Sequence, residues 1–136
     1  MHQSILIPID IASSDKVDDM FAAAKALRNA DGVVTCLHVV PEIPASVSME
    51  IPAEVMPRLM ASSRETIQAA ADAAGLRVTV EIESGHAART ILEVAEKTGA
   101  DLIVIGSHQP GLEDYLLGST ASRVVRHAKC DVLIQR

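Results

Sequence analysis

The sequence predicts an α/β protein: an open parallel sheet with helices on both faces, Rossmann-like in arrangement. Apolar, β-branched runs alternate with helix-periodic segments along the chain, and such alternation calls for a parallel sheet with right-handed crossovers. Most of the runs are apolar without a break, which suits strands covered on both faces. Gly75 and Gly99 follow two of the helical stripes, where a left-handed residue commonly ends a helix. At 136 residues the expectation is a single domain, residues 1–136, with one sizeable core.

The first strand is expected at Ile5 to Ile9, apolar and branched. A helix follows, with Val17, Met20, Phe21, Ala24 and Leu27 on one stripe and a start near Asp15. The second strand is Val33 to Val40. Leu59, Ser63, Ile67, Ala70 and Ala74 form the next helical stripe, closed by Gly75. The third strand, Leu76 to Ile82, alternates strictly, with Leu76, Val78, Val80 and Ile82 on one side; this places it near a sheet edge. Ala88, Ile91, Leu92 and Ala95 predict a helix ending at Gly99. The fourth strand is Asp101 to Gly106, the last helix carries Ala121, Val124, Val125 and Ala128, and the fifth strand is Asp131 to Gln135. Pro41 to Pro57 breaks the rhythm with four prolines and the apolar Val47, Met49, Ile51, Val55 and Met56. A long irregular connection of this kind reads as a lid, a partner surface or a plain surface loop.

Composition narrows the function. The formal charge is −6, so no basic footprint supports general nucleic-acid binding or attraction to anionic membranes. No apolar run is long enough to span a bilayer, and Met1 to Ser4 leads into a strand pattern without a signal-peptide layout. Cys36 and Cys130 lie in apolar segments without metal-site spacing and read as buried free thiols. The expected location is the cytoplasm.

The segment Gly106 to Ser119 is the most informative. A glycine ends the fourth strand and a Gly-Ser pair opens a helix. Glycine admits close backbone approach, and a helix N-terminus offers free N–H groups with partial positive charge, which suits a phosphate; a bland turn is the other reading. In an open parallel sheet, ligands sit outside the carboxyl ends of the strands where the strand order reverses. If the first and fourth strands meet there, Asp10 and Gly106 face one crevice. Asp10 could then accept hydrogen bonds from ribose hydroxyls, a reading favoured over an N-cap role because the first helix starts several residues later.

Taken together, ILIPID at the start, LHVV in the second strand, DLIVIGSH in the fourth and LLGSTASRVVRHAKCDVLIQR at the end resemble the nucleotide-binding, UspA-like universal stress proteins over the whole chain. The family signature is a glycine, two residues, a glycine, nine residues, then Gly-Ser or Gly-Thr. Gly106 and Gly118-Ser119 match its ends, Gln109 replaces the middle glycine, and the loop is one residue shorter. This variant resembles a subgroup in which some members are associated with nucleotide and some relatives with TRAP-type solute transporters. The resemblance implies ATP or AMP as ligand, with strand order 3-2-1-4-5. Pro8 and Ile9 would form the floor, Asp10 would hold the ribose and Val39 would meet adenine through its backbone. Gly106, Gly118 and Ser119 would contact ribose and phosphates, with Thr120 adding an amide and His108 and Gln109 in the loop. It also implies a homodimer through Val132, Leu133 and Ile134, with a tetramer through the Pro41–Pro57 loop as a further expectation, and a regulatory protein or transporter as partner.

Strong catalysis is not indicated. The Gly106–Gly118 loop has no Lys or Arg, and no P-loop lysine is present. Phosphates would depend on amides, the helix dipole, the Ser119 hydroxyl and a magnesium ion brought with the nucleotide. Comparable AMP, ADP and ATP affinities are therefore expected without metal, unless a cation enters from elsewhere, Arg123 or Arg126 being the candidates. His108 could touch phosphate or stabilise its turn. His38 reads as structural and His127 as a C-terminal cap; His86 either lines the crevice or does not, and Ser119 reads as a helix cap. With Phe21 and Tyr115 the only aromatics, adenine would occupy an aliphatic slot. The function expected is a nucleotide-binding stress or regulatory protein acting through assembly or partner choice. The alternatives are a slow ATPase or autophosphorylating enzyme, and an interaction module that has lost its nucleotide.

Overall fold

Side chains alternate across a strand, so an unbroken apolar run must be buried twice. A computed structural model describes residues 1–13, 15–107 and 117–136 and shows this arrangement. The strands are β1 (His2–Pro8), β2 (Arg28–Val40), β3 (Thr79–Ser84), β4 (Leu102–Gly106) and β5 (Asp131–Gln135). They form one parallel sheet in the order β3-β2-β1-β4-β5. Helices α1 (Val17–Leu27), α2 (Ala45–Ser48), α3 (Val55–Ala73), α4 (Ala87–Thr98) and α5 (Ser119–His127) connect them, with a short 3-10 turn at Ile11–Ser13.

Ile5 and Ile7 of β1 pack on one face with Val34, Cys36 and Val104, under Met20, Phe21 and Ala24 of α1 and Ile67 and Ala71 of α3. Leu6 packs on the other face with Leu37, Ile103 and Ile105, under Ile91 and Val94 of α4 and Ala121 and Val124 of α5. Ile5, Leu6 and Ile7 are fully buried. At about 1.5–3 kcal/mol for each large apolar side chain, such burial is the main force holding helices to sheet. It also sets thiol chemistry: burial pushes Cys36 up from 9.0 to about 12. The edge position of β3 matches its alternation, with Leu76 and Val80 in the core and Val78 and Ile82 packed against it.

Several boundaries differ from the sequence reading. β1 begins at His2 because His2 pairs with Arg28 ahead of a register shift, and β2 correspondingly extends back through Asn29, Asp31 and Gly32, residues of low strand propensity. β3 starts at Thr79, later than the alternation, because α3 ends in a glycine cap: Gly75 has φ +69, and the Leu76 amide reaches back to the Ala71 carbonyl at 3.0 Å. Leu59 and Val125 are 48% and 45% exposed, so the helical stripes are narrower there than expected. The Pro41–Pro57 stretch is not wholly irregular; it contains α2 and the first turn of α3, where Pro57 lacks only an amide that has no intrahelical partner.

Candidate functional site

The chain leaves β1 for β2 and β3 on one side, then crosses to β4 and β5 on the other, so β1 and β4 are neighbours at the reversal. Their carboxyl ends open into a cleft of about 780 Å³, within the range of small-molecule pockets. Pro8, Ile9, Asp10, Val39, Gly106, Gly118, Ser119 and Thr120 all line it. The fold thus gathers every described residue of the expected site. His108 and Gln109 lie outside the described residues.

The floor is rigid by construction. The Ile9 amide donates to the Leu37 carbonyl at 2.7 Å, and His38 Nδ1 lies 2.9 Å from the Ile9 carbonyl. His38 therefore ties β2 to the end of β1, the structural role expected of it. Asp10 follows at once. Its Oδ1 accepts from the Ala12 amide at 3.0 Å, capping the 3-10 turn and not α1. Among the described residues its second carboxylate oxygen has no recorded partner, so the group is oriented by one oxygen and open at the other.

The opposite wall is the start of α5. Gly118 is its N-cap and supplies no side-chain hydrogen bond. Ser119 is the first helical residue, which corrects the expectation that it caps the helix. The first amides of α5 are thus left to whatever enters the cleft. Gly106 stands beside them. A Cβ there would meet only Met20 Sδ, at 3.9 Å, so packing among the described residues does not require glycine. Met20, Leu37, Val39, Pro41, Leu59 and Ile91 give the same cleft an aliphatic lining.

Arg123 and Arg126, the cations proposed from sequence, do not line the cleft. Arg123 Nη1 lies 3.2 Å from His86 Nε2 on the surface. His86 is the N-cap of α4 and also does not line the cleft, although its neighbour Ala87 does. Among the described residues the cation in the wall is Lys16, which sequence reasoning missed. The sequence held only an ambiguous signal: Lys16 is one helical turn ahead of Met20 on the α1 stripe, which also reads as a solvated helix start. Leu59 and Ser63 were missed as well, because they reach the cleft from α3, far away in sequence.

The model of the universal stress protein family matches residues 1–136. Universal stress protein G of Escherichia coli O157:H7 is 34% identical over 143 residues, covering 100% of both chains. The chain belongs to the universal stress protein family. The structure of the hypothetical protein MJ0577 superposes on this universal stress protein with a TM-score of 0.80 at 27% identity, over 98% of this chain and 95% of that one. Two more distant structures share the fold. One is a universal stress protein in complex with cAMP, TM-score 0.74 at 21% identity, over 99% and 97% of the two chains. The other, from Archaeoglobus fulgidus, is in complex with dAMP, TM-score 0.71 at 18% identity, over 98% of each.

Proposed function

We propose that this chain binds an adenine nucleotide, ATP or AMP, in the β1–β4 cleft and acts as a cytoplasmic stress or regulatory protein whose assembly or partner choice follows occupancy. One observation carries the reading. A half-open carboxylate at Asp10, an uncapped helix N-terminus at Gly118–Ser119 and an aliphatic lining share one cleft. Ribose hydroxyls, phosphate and adenine need those three environments respectively. That two proteins of this fold hold cAMP and dAMP supports adenine as the base. Among the described residues no group of three or more His, Cys, Asp and Glu side chains could hold a metal ion. Magnesium would arrive with the phosphates, its coordination completed by water and a carboxylate such as Asp10.

β5 lies at the sheet edge with Val132, Leu133 and Ile134 half-buried. An apolar edge invites pairing with its own copy about a two-fold axis, and we place the homodimer there. Val47, Met49 and Val55 are 46%, 89% and 41% exposed. They offer the surface for a tetramer contact, or for a regulatory or transporter partner. Calorimetry on the parent and Gly118→Val tests the site: the added side chain should weaken ATP binding at least about tenfold, and equal affinity would refute the assignment. Sedimentation at micromolar concentration should give a dimer; a monomer would refute the β5 interface.

A further inference from the structure

We propose that Lys16 reads phosphate charge in this cleft, so that affinity rises with the number of phosphates even without metal. The inference rests on the adenine-nucleotide reading and assigns it a residue that the phosphate loop itself does not supply.

Position comes first. Lys16 lines the cleft from the α1 side. Its carbonyl accepts from the Met20 amide at 3.0 Å, so the two residues are one turn apart on the same face of the helix start. Met20 Sδ is the atom nearest the open Cβ position of Gly106. The lysine thus lines the same cleft as Gly106 and the first residues of α5, one helical turn from the methionine that approaches Gly106.

Charge comes second. Of the described cleft residues, Asp10 is the only carboxylate and Lys16 the only lysine or arginine. Among the described residues no ion pair or hydrogen bond to the Lys16 ammonium is recorded. The side chain is half-buried, a position in which a cation attracts an anion more strongly than in bulk water.

The third observation concerns what the fold gains from a lysine here. Lys16 is the N-cap of α1 and makes no side-chain cap hydrogen bond. Ser, Thr, Asp or Asn would stabilise that position, and a cation at a helix N-terminus opposes the dipole. Asp18 and Asp19 in the first turn offset part of that cost. Helix stability alone therefore does not account for lysine, whereas a polyphosphate between Lys16 and the α5 N-terminus does.

The test is calorimetry in EDTA on the parent, Lys16→Gln and Lys16→Arg, titrated with adenosine, AMP and ATP. The parent should bind ATP at least about tenfold more tightly than AMP, the scale of one charge-assisted hydrogen bond. Lys16→Gln should bring ATP down to within about threefold of AMP and leave adenosine unchanged, while Lys16→Arg keeps the preference. Added salt should weaken ATP more than AMP in the parent. An ATP-to-AMP ratio that is the same in parent and Lys16→Gln overturns the role of Lys16 and leaves the nucleotide site standing. If the parent binds none of the three, the nucleotide reading itself fails, and titration with inorganic tripolyphosphate decides the residue. Binding lost in Lys16→Gln retains it as a polyphosphate contact, and no binding by the parent overturns it.

Discussion

Two glycines at opposite ends of the sheet differ in what they are for. Gly32, at the amino end of the sheet, is hemmed in: a Cβ there would lie 2.8 Å from Arg28 Cγ and 2.9 Å from the His2 carbonyl oxygen. Gly106, at the carboxyl end, would place its Cβ 3.9 Å from a methionine sulfur, its one near contact among the described residues. The surroundings follow the same division. At the amino end the Asp101 carboxylate accepts from the Gln3 amide at 2.8 Å and the Ser4 amide at 3.1 Å. Ser4 Oγ donates to the Thr98 carbonyl at 3.2 Å, and His2 faces Asp131 at 3.2 Å. Among the described residues only His2 Nδ1 and Arg28 Nε are buried there without a partner. At the carboxyl end, among the described residues, Asp10 keeps an open oxygen, α5 has no side-chain cap and Lys16 has no counter-ion. The first end pairs most of its polar groups within the fold, and the second leaves several of its own open.

Gly32→Ala is the strongest way to break the contrast. The new methyl group would meet backbone as well as a flexible side chain, so the β1–β2 pairing at His2 must shift. Overpacking of this kind costs about 1–3 kcal/mol. Urea melts should show the midpoint falling by that amount with an unchanged slope, while nucleotide affinity stays within about twofold. A neutral Gly32→Ala would mean that the amino end is looser than its contacts indicate.

Gly106→Ala should do the reverse. Stability should stay within about 0.5 kcal/mol, because the methyl group makes only an ordinary contact. ATP affinity should fall by about tenfold, near 1.4 kcal/mol, because the backbone can no longer approach the ligand. If affinity holds, the ligand sits further towards α3, against Leu59 and Ser63, and the Gly106 end is only a turn.

The contrast also explains what could be read from sequence. Strands buried on both faces announce themselves, and Ile5 to Ile7 and Leu102 to Ile105 needed no tertiary information. The cleft floor was legible because a parallel sheet fixes where its strand ends converge, which brought Asp10, Val39, Gly106 and Gly118 together. The start of β2 was not legible: Arg28 to Gly32 has poor strand propensity and is held in the sheet by its neighbour. Lys16, Leu59 and Ser63 were missed for a related reason. They enter the cleft from helix faces whose angle to the sheet is set by packing. Lys16 sat on the same helical stripe as Met20, but a lysine one turn before an apolar stripe looks like a solvated helix start until the sheet is in place.

The smallest expected effect is also the most specific. Asp101 is partly desolvated, which pulls its carboxyl pKa up, but the Gln3 and Ser4 amides and the nearby His2 outweigh this and hold it below its ordinary 3.8. A carboxylate depressed in the folded state contributes stability above its unfolded value and loses it as pH falls through the lower folded one. Asp101→Asn keeps the shape but turns one acceptor into a donor facing an amide N–H. At neutral pH it should cost about 1 kcal/mol. The difference from the parent should narrow as the pH is taken below 3.8, where the parent carboxyl itself takes up a proton. Nucleotide affinity at neutral pH should not change, since the residue lies at the opposite end of the sheet from the cleft. Denaturation curves of both proteins at neutral pH and near pH 3 check the sign. A gap that stays constant with pH would show that the amino end is held by the geometry of Asp101 and not by its charge.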